Sequence, residues 1–225
     1  MQLYIGNKNY SSWSLRPWLL MRQAGIGFEE VRLRLSFEEG TPFKQALARV
    51  APTGKVPVLV DDGFAVWDTL AIAEYLAEKF PALALWPADP KARARARSLC
   101  AEMHSGFAAL RSHCPMNIEA ELPEVGVRLL NDVPAVGHDL ARIAQMWQQQ
   151  LADAGGPFLF GGFGIADAYY APVCARIKTY ALPVPAEVGA YVERVYALTA
   201  MQQWVAEARA ENDFLPFDEP YRSQA

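Results

Sequence analysis

Three short stretches of this chain carry residue types that could together bind and activate a small anionic peptide. In Lys55-Val56-Pro57-Val58-Leu59 a proline enters an apolar strand, where it cannot donate a ladder hydrogen bond. Such a proline implies a special backbone turn, for which a cis Val56–Pro57 peptide is the expected form. The N–H and C=O of Val56 would then be free to pair with an extended peptide. Further on, Trp67-Asp68-Thr69-Leu70-Ala71-Ile72 opens a helix whose first N–H groups and dipole attract an anion. Ser11 and Ser12 stand just before another helix, and either hydroxyl could donate to a second negative centre. Each of these residues also has a plainer role: a serine or an aspartate before a helix caps it.

The elements that must position these residues divide the chain in two. Residues 1–81 mix strand and helix signals. Leu3-Tyr4-Ile5 is a short strand, Asn7 to Ser12 a polar loop, and Leu15, Trp18 and Leu19 one face of a helix with Pro17 in its first turn. Phe28 to Leu35 alternates apolar and charged residues as a half-buried strand does, and Thr41-Pro42 starts a helix to about Arg49. Asp61-Asp62-Gly63 is a hairpin turn between two strands, and Ile72, Tyr75, Leu76 and Phe80 mark a third helix. The order is βαβαββα. Residues 82–90, flanked and punctuated by prolines, read as a linker. Residues 91–225 read as helical throughout: one helix over Lys91–Cys114, a region from Pro123 to Ala154 interrupted near Pro134, then Ile165–Tyr180, Pro185–Ala197 and Thr199–Ala210.

Composition narrows the class. Of the 225 residues 52% are hydrophobic, enough for a substantial core, and no apolar run reaches the length of a membrane span. The formal net charge of -4 argues against nucleic acid as a partner. The N-terminus begins with strand-like residues and carries no secretion signal pattern. Cys100, Cys114 and Cys174 are widely spaced and odd in number, which fits buried thiols in a reducing compartment and no disulfide framework. His104, His113 and His138 show no metal-ligand spacing, so no metal is expected.

In this order and spacing, three motifs resemble the cytosolic glutathione transferase family over essentially the whole chain. Ser11-Ser12-Trp13-Ser14-Leu15-Arg16 is similar to the serine-containing loop of the zeta, theta and related classes. Ala51-Pro52-Thr53-Gly54-Lys55-Val56-Pro57-Val58-Leu59 resembles the family's N-P-x-x-x-V-P-x-L segment. Asp68-Thr69-Leu70-Ala71-Ile72-Ala73-Glu74-Tyr75-Leu76 resembles its E-S-x-A-I-x-x-Y-L helix. The resemblance implies a thioredoxin-like N-terminal domain and an all-helical C-terminal one. It also implies glutathione as co-substrate, a cytoplasmic homodimer, and a pocket between the domains for a small electrophile, lined mostly by apolar side chains.

The roles it assigns follow from what glutathione needs. A free thiol has a pKa of about 8.5, so a hydroxyl donor and a helix N-terminus must favour the thiolate. The resemblance gives that task to Ser11 or Ser12, with Ser11 favoured by its separation from Arg16. Val56 would pair with the cysteinyl main chain, held by Pro57, and Lys55 would reach the glycyl carboxylate. Thr69 would bind the γ-glutamyl carboxylate and Asp68 the α-ammonium group. Tyr10 is a competing hydroxyl or part of the second-substrate pocket, together with Trp13, His104 and Phe107. Gly164-Ile165-Ala166-Asp167 resembles the family's capping box, with glycine in place of the hydroxyl residue, so Asp167 is expected to serve the fold. Lys91, Arg93, Arg95 and Arg97 read as a solvated face, or as a positive field drawing glutathione in.

The leading expectation is a glutathione transferase conjugating glutathione to an apolar electrophile. The alternatives are a zeta-like cis-trans isomerase using Arg16 and Arg111 to hold a dicarboxylate, a non-catalytic binding protein on the same fold, and a glutathione-dependent reductase. Trp13 stands where thiol-transfer relatives place cysteine, which argues against disulfide exchange.

Overall fold

The computed structural model describes residues 1–222, so the last three positions of the expected helical domain lie outside the described residues. The first half of the chain forms β1 (Gln2–Ile5), α1 (Ser12–Gln23), β2 (Glu29–Arg32), α2 (Pro42–Ala48), β3 (Val58–Asp61), β4 (Phe64–Trp67) and α3 (Thr69–Lys79). This is the βαβαββα order. The sheet runs β2-β1-β3-β4. β1 pairs in parallel with β2 (Leu3 opposite Glu30) and antiparallel with β3 (Leu3 opposite Leu59), and β3 pairs antiparallel with β4. The tight link between β3 and β4 places Asp62 at φ 47° and Gly63 at φ 82°, the two positive angles that a type I′ hairpin demands.

After a 3-10 turn at Pro81–Leu83, helices fill the rest: α4 (Pro90–Ser105), α5 (Ala108–His113), α6 (Pro123–Asp132), α7 (Pro134–Ala154), α8 (Ile165–Thr179), α9 (Ala186–Tyr196) and α10 (Thr199–Ala210). The single helix expected over Lys91–Cys114 is broken. Gly106 takes an extended conformation and Phe107 a left-handed one (φ 56°), which ends α4 and restarts the chain as α5. Pro17 also departs from expectation. It is the sixth residue of α1 and lies beyond the first turn, so it withholds the N–H that would bond the Trp13 carbonyl.

The two halves share one core. α1 packs on α8, α10 and α3, and α4 packs on α8. Trp18 of α1 meets Trp204 of α10 edge to face at 5.1 Å. The buried Lys8 ammonium lies 4.7 Å from the Trp18 ring centre and 5.4 Å from that of Trp204, and it pairs with Glu30 (2.7 Å) and with Glu207. Beyond α10 the chain runs back over the sheet half. Leu215 is fully buried there, against Tyr10, Leu35, Phe43, Leu47, Ala51 and Val58.

No helix of the described residues is long and apolar enough to cross a membrane. Cys100, Cys114 and Cys174 are buried free thiols, and burial pushes the Cys114 thiol up to about 11. The basic run on α4 is partly spent in local contacts: Arg93 donates to the Pro87 and Ala88 carbonyls, and Arg97 forks onto Glu74.

Candidate functional site

The start of α1 separates the two adjacent serines. Ser11 is the N-cap, 7% exposed. Its hydroxyl accepts from the Ser14 N–H (3.4 Å) and bonds the Ser14 hydroxyl (2.7 Å), which in turn accepts from the Gly6 N–H (3.1 Å). Ser12 is the first helical residue and half-buried. Among the described residues its hydroxyl has no hydrogen-bond partner. Of the two, Ser12 carries the hydroxyl free to meet a ligand at the positive end of α1.

α3 begins on a residue held in a rare conformation. Asp68 has φ 69° and ψ 141°, which is strained for a side-chain-bearing residue. Its carboxylate caps the helix by accepting from the Leu70 N–H at 2.9 Å and remains exposed to solvent. Thr69 points the other way. It is 2% exposed and its hydroxyl bonds the Tyr169 hydroxyl of α8 at 2.7 Å.

The segment between α2 and β3 supplies the third component. The Val56–Pro57 peptide is cis. Val56 is half-buried, Pro57 buried and Lys55 exposed. Among the described residues neither the Val56 N–H nor its C=O has a hydrogen-bond partner, and Lys55 has no ion-pair partner.

His104 of α4 ties the helix starts together. Its Nε2 lies 3.5 Å from an Asp68 carboxylate oxygen, its Nδ1 3.4 Å from the Tyr169 hydroxyl, and its ring meets Trp13 edge-on at 5.1 Å. Arg16 stacks between Trp13 (4.2 Å) and Tyr169 (4.4 Å), and Arg111 approaches Trp13 at 5.1 Å. Arg16 is buried, and its Nε and Nη1 have no partner among the described residues. Burial, with neighbouring Arg111 adding to it, lowers its pKa to about 10. Burial likewise pushes the Tyr169 hydroxyl up to about 12. Tyr169, a hundred positions from Thr69, was not legible in the sequence, because no local pattern distinguishes it from the adjacent buried Tyr170 of α8.

Two of the expected pocket residues lie elsewhere. Phe107 is 7% exposed and belongs to the main core, because the break after Gly106 turns it inward. Tyr10 is 5% exposed, sealed under Leu215, with its hydroxyl donating to Glu219 at 2.5 Å. Burial and that carboxylate hold the Tyr10 hydroxyl far above its ordinary pKa, so it cannot serve as an anionic partner. The side chains around Trp13 are therefore His104 and two arginines, where apolar groups were expected.

Asp167 sits inside the helical half. Its carboxylate accepts from the N–H groups of Leu159 (3.1 Å) and Gly164 (2.9 Å) and from the Tyr191 hydroxyl (2.9 Å). Burial outweighs these bonds and raises its pKa to about 6. Gly164 is imposed by space: a Cβ there would lie 2.9 Å from the Leu85 carbonyl oxygen, which accepts from the Ile165 N–H. The hydroxyl half of a capping box has no room. Among the described residues there is no cluster of His, Cys, Asp or Glu that could hold a metal ion.

Residues 10–79 match the family model for the glutathione S-transferase N-terminal domain, and residues 133–211 match that for the C-terminal domain. The chain is 30% identical over 176 residues to the maleylacetoacetate isomerase of Pseudomonas aeruginosa, covering 76% of this chain and 79% of that one. The maleylacetoacetate isomerase of Rattus norvegicus is 34% identical over 110 residues, which span 49% of this chain and 50% of the relative. A solved Burkholderia glutathione transferase homologue with bound glutathione superposes with a TM-score of 0.69 at 29% identity, covering 93% of this chain and 98% of that one.

Proposed function

Because the chain belongs to the glutathione S-transferase family, we propose that it binds glutathione on residues 1–81 and presents the sulfur to an electrophile held against the helical domain. In this reading residues 82–90 are the linker. One observation carries it: His104 of α4, from the helical half, touches both the start of α1 at Trp13 and the start of α3 at Asp68. Each of these helix N-termini favours an anion beside it, and glutathione brings carboxylates and a thiol that must ionise.

The unpaired main chain of Val56 takes the cysteinyl unit in extended form, with Pro57 fixing the edge and Lys55 facing the glycyl carboxylate. The exposed Asp68 carboxylate faces the α-ammonium group. The N-terminus of α3 at Thr69 takes the γ-glutamyl carboxylate through the main-chain N–H, since the Thr69 hydroxyl is already bonded to Tyr169. The Ser12 hydroxyl donates to the sulfur. Each pKa unit by which the thiol is lowered corresponds to about 1.4 kcal/mol of preference for the thiolate. In a conjugation the S–C bond forms as the leaving group departs with its electron pair, and the thiol proton passes to solvent.

A specific observation favours the isomerase as the second reading. Arg111 and the buried Arg16 flank Trp13, so a substrate carboxylate beside the indole lies in a field of two cations. The thiolate would add to a cis double bond, the resulting single bond would rotate, and expulsion of the thiolate would restore the double bond in trans. The nearby cations also make a purely apolar acceptor the poorer fit. Homodimer assembly belongs to the same proposal, supported by exposed Phe64 and Trp67 on the edge strand β4, and so does a cytoplasmic location.

The test is turnover of a generic electrophile and of maleylacetoacetate by the unmodified protein, Ser12→Ala and Ser11→Ala. Ser12→Ala is expected to lose about a hundredfold in kcat, the cost of removing one donor from a developing charge. Ser11→Ala is expected to lose about 1 kcal/mol of stability as a lost cap. Full activity in Ser12→Ala would remove the assignment. Retention on immobilised glutathione without turnover of either substrate would leave a binding protein on the same fold.

A further inference from the structure

The turn from Asn7 to Tyr10 leads directly into Ser11 and Ser12, and its anchors come from the far end of the chain. The Glu211 carboxylate, buried at the end of α10, accepts from the main-chain N–H of Lys8 (2.7 Å) and of Asn9 (3.4 Å). Those two N–H groups have no other acceptor among the described residues. Glu211 also takes the Arg32 guanidinium at 3.0 Å, so its charge is compensated where it sits. Asp213 accepts from the Asn7 side-chain amide at 3.1 Å. Glu219 accepts from the Tyr10 hydroxyl (2.5 Å) and from the Asn117 amide (3.0 Å), whose oxygen receives the Asn9 amide (3.0 Å). The Asn7 carbonyl then accepts the Ser11 N–H at 2.8 Å, passing this geometry to the first turn of α1.

We propose that Glu211 and Glu219 are positioning residues for the reaction: they clamp the Asn7–Tyr10 turn and thereby set where the Ser12 hydroxyl stands relative to the glutathione sulfur. The proposal rests on the Ser12 reading given above. The physical case is the type of bond. A carboxylate accepting two main-chain N–H groups and a guanidinium makes charge-assisted bonds, about twice as strong as neutral ones, with the Lys8 N–H at 2.7 Å the shortest of them. Removing it leaves two buried N–H groups without an acceptor, and the turn must move to find water. A displacement of about 1 Å at a reacting group costs on the order of a hundredfold in rate. Among the described residues, those assigned to glutathione binding, Lys55, Val56, Asp68 and Thr69, make no hydrogen bond or ion pair with either glutamate. Loss of the clamp should therefore fall on kcat and spare glutathione affinity.

The experiment compares the full chain with Glu211→Ala, Glu211→Gln, Glu219→Gln and Ser12→Ala. It measures kcat, the KM for glutathione and the apparent pKa of the bound thiol by its ultraviolet absorbance. Glu211→Ala is expected to lose about ten- to a hundredfold in kcat, with KM within about twofold and the thiol pKa raised. Glu211→Gln keeps one acceptor oxygen and should recover part of the loss, and Glu219→Gln should show a smaller decrease of the same kind. A folded Glu211→Ala with unchanged kcat and thiol pKa overturns the proposal, and so does a loss that falls entirely on KM. Should Glu211→Ala not fold, amide hydrogen exchange of the unmodified protein decides. Protection of the Lys8 and Asn9 amides equal to that of β1 supports the clamp, and rapid exchange overturns it. A fully active Ser12→Ala sinks the Ser12 reading and the clamp with it, whereas an inactive Ser12→Ala beside a fully active Glu211→Ala sinks the clamp alone.

Discussion

Asp68 combines two demands that pull against each other. Its backbone is strained, at a cost of about 1–3 kcal/mol, and its carboxylate stays exposed at the junction of the two domains. Glycine would adopt the same backbone freely and caps a helix nearly as well. Asp68→Gly is therefore expected to raise stability by about 1 kcal/mol and, on the role proposed for its carboxylate, to raise the KM for glutathione about tenfold. Thermal unfolding and steady-state kinetics on the same preparation check both halves. At this scale the sequence is legible by residue type and less so by position. A serine, an aspartate and a threonine at helix starts stand out. Which of Ser11 and Ser12 is the cap depends on where the helix begins to within one residue, and that is decided by the Ser14 hydroxyl and the Gly6 N–H, both outside any local rule.

The elements followed from local chemistry wherever the chain punctuates itself strongly. Asp62-Gly63 specifies its hairpin because the turn needs positive φ at both positions, and Thr41 with Pro42 specifies the start of α2. The break at Gly106 was not legible, because one glycine inside a helical pattern is tolerated and nothing marks Phe107 for a left-handed conformation. α8 carries the sharpest prediction among the helices. The Asp167 pKa is raised by burial to about 6, above its unfolded value near 4, so the native state holds the proton more tightly than the unfolded chain. Its contribution is fullest below the unfolded pKa and is lost as pH rises from about 4 to about 6. The stability of the unmodified protein relative to Asp167→Asn is expected to fall by roughly 3 kcal/mol across that window and then level off, as denaturant titrations at several pH values would show. Asp167→Ala should destabilise by about 3 kcal/mol at neutral pH with kcat of the folded fraction unchanged.

Across the whole molecule, the contacts that join the halves come from residues far apart in sequence: Thr69 and Tyr169 are 100 positions apart, Lys8 and Glu207 199. Lys8 lies in a stretch that reads as an ordinary polar loop. Nothing near it in sequence announces that Glu207 of α10 and Glu30 of β2 will both pair with it, or that two indoles will enclose it. The same holds for the return of the chain after α10, where Leu215 enters the core of the sheet half. Periodicity reports which face of an element is apolar, and pairing across the domain junction leaves no periodic trace. Lys8→Met would keep the hydrophobic stem and leave two partly buried carboxylates unpaired. It is expected to cost about 3 kcal/mol, measured by urea unfolding, with Glu207→Gln in the same background restoring part of the loss.

The edge-to-face pair of Trp18 and Trp204 has an optical consequence. Indoles held at fixed separation in a chiral surround exchange excitation, so the native protein should carry a strong near-ultraviolet circular dichroism couplet. Their emission should be quenched by the ammonium between them. If the helical half undocked before the sheet half melted, that couplet would vanish while far-ultraviolet ellipticity persisted, giving a readout of the domain junction that requires no introduced label.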